Sequence, residues 1–219
     1  MYSMYEKIMS LPLFKGITQE MVEYFIEKTP LLFTKFKEGD IILKRHEKCN
    51  SLKCLITGKA SITHYLFDNK LEIIETIDGE FIFGSENLFG IDNKSQCCVR
   101  AVEECSVMEF TKKDYLKLLH NNNILLLNYL NFLSRNTQKF YGLISEMNWQ
   151  NPIRAMIDLI QAITNRDASR IEINSREKDL AGFLATMSGI DKEKILSEAA
   201  NMGVSIRSNK NWIISRLPN

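Results

Sequence analysis

No stretch of this sequence approaches the roughly 18 consecutive apolar residues that a membrane-spanning helix needs. The first seven residues, MYSMYEK, lack the basic start and the apolar segment of a signal peptide. Cysteine is scarce and odd in number, at five, which favours reduced thiols over a disulfide framework. We therefore expect a cytoplasmic protein that has no membrane partner.

A strong charge imbalance is also missing, since the formal net charge is +1. This value neither requires nor excludes a nucleic acid as partner. The chain has no glycine-rich phosphate loop, no metal-spaced set of histidines or carboxylates and no nucleophile motif. We therefore do not expect an enzyme. A length of 219 residues, 45% of them hydrophobic, fits one large or two small globular domains.

The most regular pattern predicts one long helix from Asn122 to Met147, which would span about 39 Å. Its apolar positions recur at alternating steps of four and three, the heptad spacing with which two helices pack along their length. The predicted dimer seam comprises Leu126, Leu130, Leu133, Thr137, Phe140, Ile144 and Met147. The alternative is a long helix that packs inside its own subunit.

Short apolar or alternating runs separated by turn residues precede this helix, and they predict about eight strands. The runs are Leu32–Phe36, Ile41–Leu43, Leu52–Ile56, Ser61–Phe67, Leu71–Ile77, Phe81–Phe83, Gln96–Val102 and Ser106–Phe110. Their number and spacing indicate a β-barrel or a double-sheet β-roll. A capping box at Thr111 to Asp114 then predicts a short helix.

The segment after the long helix has a helical pattern and ends in a hairpin. Asn151-Pro152 is a good helix start, and Ser175 can cap a second helix. A capping box at Ser188 to Asp191 predicts a third helix, which Gly203 ends. Runs 204–206 and 212–214 then predict a hairpin around 208–211, so the order is that of a winged helix-turn-helix.

The predicted fold is therefore α+β, with three parts in chain order. A sensor domain with a β-roll occupies 1–121, a dimerisation helix 122–148, and a winged-helix DNA-binding domain 149–219.

Several short motifs in this order resemble the superfamily of the catabolite activator (cyclic-AMP receptor) protein and the fumarate–nitrate-reduction regulator. The motifs are LPLFKG (11–16), FKEGDII (36–42), LITGKASI (55–62), DGEFIFG (78–84), LF (88–89) and VRA (99–101). The resemblance implies a homodimeric transcription regulator with a cyclic-nucleotide-binding-like β-roll. A small molecule or a redox signal in the roll would move the long helices and re-aim two DNA-binding heads. The implied partners are a palindromic DNA operator, an unidentified small-molecule effector and, as a further candidate, RNA polymerase.

The positions that hold cyclic AMP in the resembled family have changed here. Family members that bind it carry Gly-Glu before the Leu-Phe pair and Arg-Ser or Arg-Thr six residues after its Phe. This chain has Gly84-Ser85 and Ser95-Gln96 at those places, so both charged ligands are missing. A buried phosphate would lose its bidentate partner, and we expect no cyclic AMP binding. Gly84, Ser85, Ser95 and Gln96 either hold another effector or are ordinary turn residues.

The prosthetic groups that some family members carry are not expected either. No cysteine precedes Cys49, and Cys97 and Cys98 are neighbours on a predicted strand, so their side chains point to opposite faces. Buried small hydrophobic residues are therefore the default interpretation of the cysteines, ahead of an iron–sulfur cluster. The three histidines are isolated, which disfavours a haem ligand.

The predicted DNA-reading helix also departs from the family pattern, which has Ser-Arg-Glu-Thr or similar at its start. The candidate DNA contacts are Ser188, Lys192 and Lys194 in the helix, with Arg207 and Lys210 in the wing. Lysine reaches phosphates but lacks the bidentate fit of arginine to guanine, and the helix is acidic on balance. Two functions therefore stay open: an effector-responsive DNA-binding regulator, or a ligand-sensing dimer whose C-terminal head docks a protein.

Overall fold

The computed structural model describes residues 4–148, 150–164, 170–175, 179–208 and 210–214. The helices are α1 (Met4–Ser10), α2 (Gln19–Lys28), α3 (Lys112–Asn121), α4 (Asn123–Ser145), α5 (Pro152–Ile163), α6 (Leu180–Ser188) and α7 (Lys192–Asn201), with a 3₁₀ turn at Pro12–Phe14. The strands are β1 (Leu31–Phe36), β2 (Ile41–Leu43), β3 (Ser51–Thr57), β4 (Lys59–Leu66), β5 (Leu71–Asp78), β6 (Phe81–Phe83), β7 (Cys97–Ala101), β8 (Cys105–Thr111), β9 (Arg170–Ser175), β10 (Ser205–Ser208) and β11 (Asn211–Ile214). None of the helices in the described ranges is both long and apolar enough to cross a membrane.

The chain divides into two compact units. Unit 1 comprises Met1–Ala60 and Asp78–Thr137, and unit 2 comprises Ser61–Ile77 and Gln138–Asn219. All eight predicted strands before the long helix are confirmed, and no strand end shifts by more than two residues. The fold is thus a mixture of helices and mainly antiparallel strands.

Unit 1 is built on a four-stranded antiparallel sheet in the order β1-β8-β3-β6. Side chains alternate between the two faces of each strand. One face, with Leu52 and Cys54 of β3 and Met108 and Phe110 of β8, packs in one buried cluster with residues of α1, α2, α3 and the first turns of α4. The helices therefore cover one face of this sheet. The other face, which the helices do not cover, points away from them.

The tight turn between β3 and β4 depends on a glycine. Gly58 has φ +95°, a left-handed conformation that residues with a Cβ rarely adopt. A Cβ on this residue would lie 2.3 Å from the backbone oxygen of Glu104. The close approach of two backbone segments therefore explains why the Gly58-Lys59 turn signal marks the strand boundary correctly.

The long helix α4 is confirmed, but it covers Asn123–Ser145 and stops two residues before the predicted end. Its 23 residues correspond to about 35 Å. Leu125 and Tyr129 are its buried residues, and both belong to the core of unit 1. The boundary between the two units falls inside α4, after Thr137.

Unit 2 contains a strand that the sequence did not reveal. β9 pairs on one side with β11 and on the other with β5, so that β10-β11-β9-β5 are neighbours in one antiparallel sheet. The predicted helix cap at Ser175 was wrong, because Ser175 ends β9 and α6 begins at Leu180 after Asp179. The alternating pattern of Arg170–Ser175 is only six residues long, too short to stand out from a loop.

The start of the predicted third helix was also placed wrongly. Ser188 is the last residue of α6, and Gly189 follows it in the left-handed conformation with φ 72°. α7 begins at Lys192, where the side chain of Asp191 accepts a hydrogen bond from the backbone N–H of Glu193. The turn residue Asn209 of the predicted hairpin lies outside the described residues.

Three other helix starts agree with the sequence. Thr18 accepts a hydrogen bond from the backbone N–H of Met21. Thr111 does the same for Asp114 and donates its hydroxyl proton to the Asp114 carboxylate. Asn151 caps α5, with Pro152 at the first helical position. These local signals are reliable because each satisfies backbone N–H groups that the helix itself leaves without partners.

Two buried tyrosines of unit 1 give a matched test of the core. The Tyr129 hydroxyl donates to the backbone carbonyl of Ser85 at 2.8 Å, whereas the buried Tyr115 hydroxyl has no hydrogen-bond partner among the described residues. We expect Tyr129→Phe to lower the free energy of unfolding by about 1–2 kcal/mol. Tyr115→Phe removes an unsatisfied hydroxyl and is expected to leave stability unchanged or raise it. Urea denaturation of both variants checks this, and a larger loss for Tyr115→Phe would contradict it.

Candidate effector site and nucleic-acid interface

Unit 1 contains a cavity of about 210 Å³ at one end of its strand layer. Its lining residues come from β2, the segment that enters β3, β3 itself, β6 and β8. They are Leu43, Glu47, Lys48, Cys49, Asn50, Ser51, Lys53, Phe83, Gly84 and Glu109. The cavity is small, since ligand sites commonly measure about 300–1,000 Å³.

The strand register brings the central side chains of this cavity together. Lys53 of β3 lies opposite Glu109 of β8 on one side and opposite Phe83 of β6 on the other. Lys53 and Glu109 alternate with Leu52, Cys54, Met108 and Phe110, which pack against the helices. Their side chains therefore occupy the face of the sheet that the helices do not cover.

Lys53 and Glu109 form a nearly buried ion pair in the cavity wall. The Lys53 Nζ lies 2.7 Å from Glu109 Oε2, and the two side chains are 13% and 14% exposed. The Ser51 hydroxyl donates to the same Oε2 at 2.9 Å. Removal of one charge from such a pair leaves the other without compensation in a poorly hydrated place.

Of the four predicted effector residues, the structure brings only Gly84 to the cavity. Gly84 has φ +70° and faces Cys49, whose Sγ would lie 3.4 Å from a Cβ at this position. Ser85 and Ser95 are buried, and their hydroxyls donate to Glu86 and to the Cys97 carbonyl. Gln96 is exposed and its side chain donates to the Lys94 carbonyl.

The segment after β6 connects the cavity to the long helix. Gly84 lines the cavity, and the carbonyl of the next residue, Ser85, accepts the hydrogen bond from Tyr129 of α4. Burial, helped by the nearby Glu86 charge, raises the pKa of Tyr129 to about 12, so its hydroxyl stays a donor at neutral pH. A displacement at Gly84 would therefore act on α4 through a single buried hydrogen bond.

The five cysteines are free thiols. Burial raises the pKa of Cys49, Cys54 and Cys105, which keeps these thiols protonated and poorly nucleophilic. Within the described residues, no group of three or more His, Cys, Asp or Glu side chains is arranged to hold a metal ion.

The buried thiol of Cys97 should make the folded protein less stable at high pH. Burial raises its pKa from 9.0 to about 11, so the folded state favours the thiol. The contribution of this thiol to the free energy of unfolding is therefore fully present below about pH 9, and it is lost as the pH rises through 11. At pH 10.5 this costs the wild type about 2 kcal/mol relative to pH 7. We expect Cys97→Ala to lose about 2 kcal/mol less over that interval in urea denaturation. An identical pH dependence in both proteins would contradict this, and the comparison at pH 7 reports packing alone.

The predicted DNA-contact residues lie in α6, α7 and β10 and beside β11, all within unit 2. Lys194, Arg207 and Lys210 are exposed. The Lys192 ammonium is paired with Asp179, the residue before α6, and this hydrogen bond holds the pKa of Asp179 below its usual range. Ser188 is half-buried and donates its hydroxyl proton to the Leu184 carbonyl. Lys194, Arg207 and Lys210 are therefore available on the surface, Lys192 is exposed but paired with Asp179, and Ser188 is half-buried.

The predicted seam of α4 divides between two surroundings. Leu126 and Leu133 pack against the core of unit 1, whereas Leu130 and Phe140 are 51% and 41% exposed. Thr137 is exposed and Ile144 and Met147 are half-buried. A stripe with spacing three, four, three and four is exposed throughout; it comprises Leu127, Leu130, Ser134, Thr137 and Tyr141 and is called the outer stripe below.

The sequence interpretation missed the Lys53–Glu109 pair. Both residues stand in otherwise apolar strands, where alternation alone reads them as solvent-facing positions. Their opposition depends on the β3–β8 register, which pairs residues 56 positions apart. One signal could have revealed the pair: each of the two largely apolar strands contains a single charged residue, and the two charges are opposite in sign.

Comparison with known proteins identifies the N-terminal part of the chain. Residues 33–122 match the family model of the cyclic nucleotide-binding domain. None of the proteins with curated functions matches the sequence.

Solved structures extend the similarity to nearly the whole chain. The catabolite activator protein of Thermus thermophilus is 18% identical, with a TM-score of 0.56 over 94% of this chain and 93% of that one. The sensor domain of the transcriptional regulator DNR from Pseudomonas aeruginosa is 20% identical, with a TM-score of 0.49 over 60% of this chain and 91% of that domain. The resemblance found in the sequence is therefore confirmed at the level of the fold: residues 33–122 match the cyclic nucleotide-binding domain, and the chain shares the fold of a catabolite activator protein.

Proposed function

We propose that this protein is a dimeric, effector-responsive transcription regulator that binds DNA. The observation that carries the proposal is the combination in one chain of a cyclic nucleotide-binding domain, a long helix with an exposed heptad stripe, and a C-terminal set of helices that ends in a hairpin. A solved structure that shares its fold over nearly the whole length is that of a catabolite activator protein. The division proposed is a sensor at 1–121, a dimerisation helix at 122–148 and a DNA-binding head at 149–219.

The head has the parts of a winged helix-turn-helix. α6 and α7 are joined by a three-residue turn around Gly189, and the β10–β11 hairpin follows α7 directly. In such domains the second helix enters the major groove and the hairpin contacts the backbone beside it. We assign α7 as the reading helix, with Lys194 as its exposed cation and Arg207 and Lys210 as wing contacts.

The outer stripe of α4 supports a two-fold symmetric dimer. Leu127, Leu130 and Tyr141 expose between 51% and 68% of their surface, which is unusual for large apolar side chains at heptad spacing. A second copy of the same stripe is its natural complement, because a two-fold axis brings identical surfaces together. Thr137 is the polar position that fixes the register.

The sensor is proposed to respond to a small molecule other than cyclic AMP. The two charged residues that would hold the nucleotide are absent from this chain. The hydroxyls of Ser85 and Ser95 donate hydrogen bonds to neighbouring protein groups. The response travels from the cavity through Gly84 and Ser85 to Tyr129 of α4, the helix that carries the outer stripe. Cytoplasmic action beside RNA polymerase follows from this role.

Selection from a random-sequence DNA pool at two salt concentrations tests the proposal. We expect a two-fold symmetric site whose half-sites are about 10 bp apart from centre to centre. Lys194→Ala and Arg207→Ala should each weaken binding to any sequence and lower the salt slope by about one. Lys35→Ala, at an exposed lysine of the sensor, is the control and should change neither quantity. No enriched sequence at either salt concentration would contradict the proposal.

The weak basicity of α7 supports a second candidate function, a ligand-sensing dimer whose head docks a protein. Asp191 and Glu193 are exposed at the start of α7, and the Lys192 charge is already neutralised by Asp179. These charges oppose phosphate contact. Recovery from cells of a partner protein bound through α7, together with failure of the DNA selection, would favour this second function.

A further inference from the structure

We propose that the Lys53–Glu109 cavity of unit 1 binds a small zwitterion, an α-amino acid with a short side chain. The proposal rests on the effector-responsive function argued above and names the chemical class of that effector. The cavity of about 210 Å³ is smaller than the roughly 300–1,000 Å³ of common ligand sites, so it favours a small ligand. Glycine, L-alanine and L-serine are ligands of this class.

The ion pair in the cavity wall can offer a ligand both hydrogen-bond donors and a hydrogen-bond acceptor. Lys53 carries three N–H donors and uses one of them on Glu109 Oε2. Ser51 donates to the same oxygen, so both of these contacts to the Glu109 carboxylate end on Oε2. Lysine donors and a carboxylate acceptor therefore stand side by side in one cavity wall.

A zwitterion uses both of these groups without disturbing the charge balance. Its carboxylate can accept from Lys53 while its ammonium donates to Glu109, and the cavity stays neutral overall. An anion alone would bring a like charge close to Glu109, and a cation alone would bring one close to Lys53. In either case a charge is buried without compensation. This is costly here, because the Lys53 and Glu109 side chains are only 13% and 14% exposed.

The remaining walls limit the size of the ligand side chain. Leu43 and Phe83 form apolar surface beside the ion pair, and Gly84 gives close access to the backbone. A Cβ at Gly84 would fill space next to Cys49. This arrangement accepts a hydrogen atom, a methyl group or a hydroxymethyl group on the α-carbon.

Ligand binding to the full-length chain tests the proposal without any DNA. Thermal denaturation is measured with glycine, L-alanine and L-serine at 10 mM, and with sodium propionate and ethylamine as single-charge controls. We expect at least one of the three amino acids to raise the melting temperature by roughly 4 °C, the shift produced by ligand at about ten times its Kd. Calorimetric titration of that amino acid then gives its Kd.

Variants of the ion pair decide whether the site is the one proposed. Lys53→Met and Glu109→Gln should each weaken amino-acid binding at least about tenfold, the loss expected when a buried charge-assisted bond is removed. Glu104→Gln is the matched control, because Glu104 pairs with Lys35 on the surface with side chains 77% and 70% exposed. The double variant Lys53→Met with Glu109→Leu replaces the pair by apolar groups; it should fold and bind none of the three.

Three results would overturn the inference. The first is that none of the three amino acids raises the melting temperature of the wild type. The second is an equal rise with propionate or with ethylamine, which would mean a simple ion site. The third is unchanged affinity in the double variant. Because DNA is absent, amino-acid binding together with a failed DNA selection would overturn the proposed function and leave this site standing.

Discussion

Leu130→Asp is expected to convert the proposed dimer to monomers and to weaken binding to a palindromic operator at least about 100-fold. Leu130 lies in the middle of the outer stripe and exposes 51% of its surface, so the single chain tolerates a polar group there. In a two-fold dimer the substitution places two aspartates close together in an apolar interface. Burying like charges without partners costs several kcal/mol, enough to dissociate the pair.

Sedimentation velocity and operator titration check this expectation. Leu116→Asp is the matched control, because Leu116 lies on α3 and is 54% exposed, outside the outer stripe. The control should remain a dimer and bind DNA as the wild type does. A dimeric Leu130→Asp variant that binds its operator normally would show that the outer stripe is not the dimer interface.

Ile73→Ala is expected to destabilise unit 2, although residue 73 falls within the segment 1–121 that we propose as the sensor. Ile73 of β5 lies opposite Ile173 of β9, and both side chains are fully buried in the core of unit 2 with Trp212. The hairpin tip also contacts α6, where the rings of Phe67 and Phe183 are 5.7 Å apart. An isoleucine-to-alanine change at such a site costs about 2–5 kcal/mol.

Hydrogen exchange followed by mass spectrometry locates this loss. Amides of α5, α7 and β11 should lose protection in Ile73→Ala by a factor of roughly 30 or more, while β3 and β8 keep theirs. Ile91→Ala is the control, since Ile91 is fully exposed and should change neither unit. Loss of protection confined to unit 1 would contradict the β5–β9 pairing.

Local signals in the sequence predicted most of the fold. The eight strands were found because Gly-Asp, Asp-Asn and Asp-Gly turns punctuate apolar runs, and the caps at Thr18, Thr111 and Asn151 each satisfy free backbone N–H groups. The register of β5 with β9 joins residues about 100 positions apart. No local pattern carries that information, so β9 was missed and Ser175 was read as a cap.

The candidate site was less predictable for the same reason. Gly84 was found from the altered family motif, and it does line the cavity. Ser85 and Ser95 fit the motif, but in the folded chain their hydroxyls turn to neighbouring protein groups. Lys53 and Glu109 looked like ordinary exposed charges until the β3–β8 register placed them together.

The stoichiometry of the DNA complex tests the central claim most directly. Native mass spectrometry of the full chain with a selected palindromic duplex measures the number of chains on each DNA. The proposed regulator predicts two chains for each duplex, and one chain or none when a half-site is inverted. A complex with one chain on the intact palindrome, or no complex in any ligand state, would contradict the account.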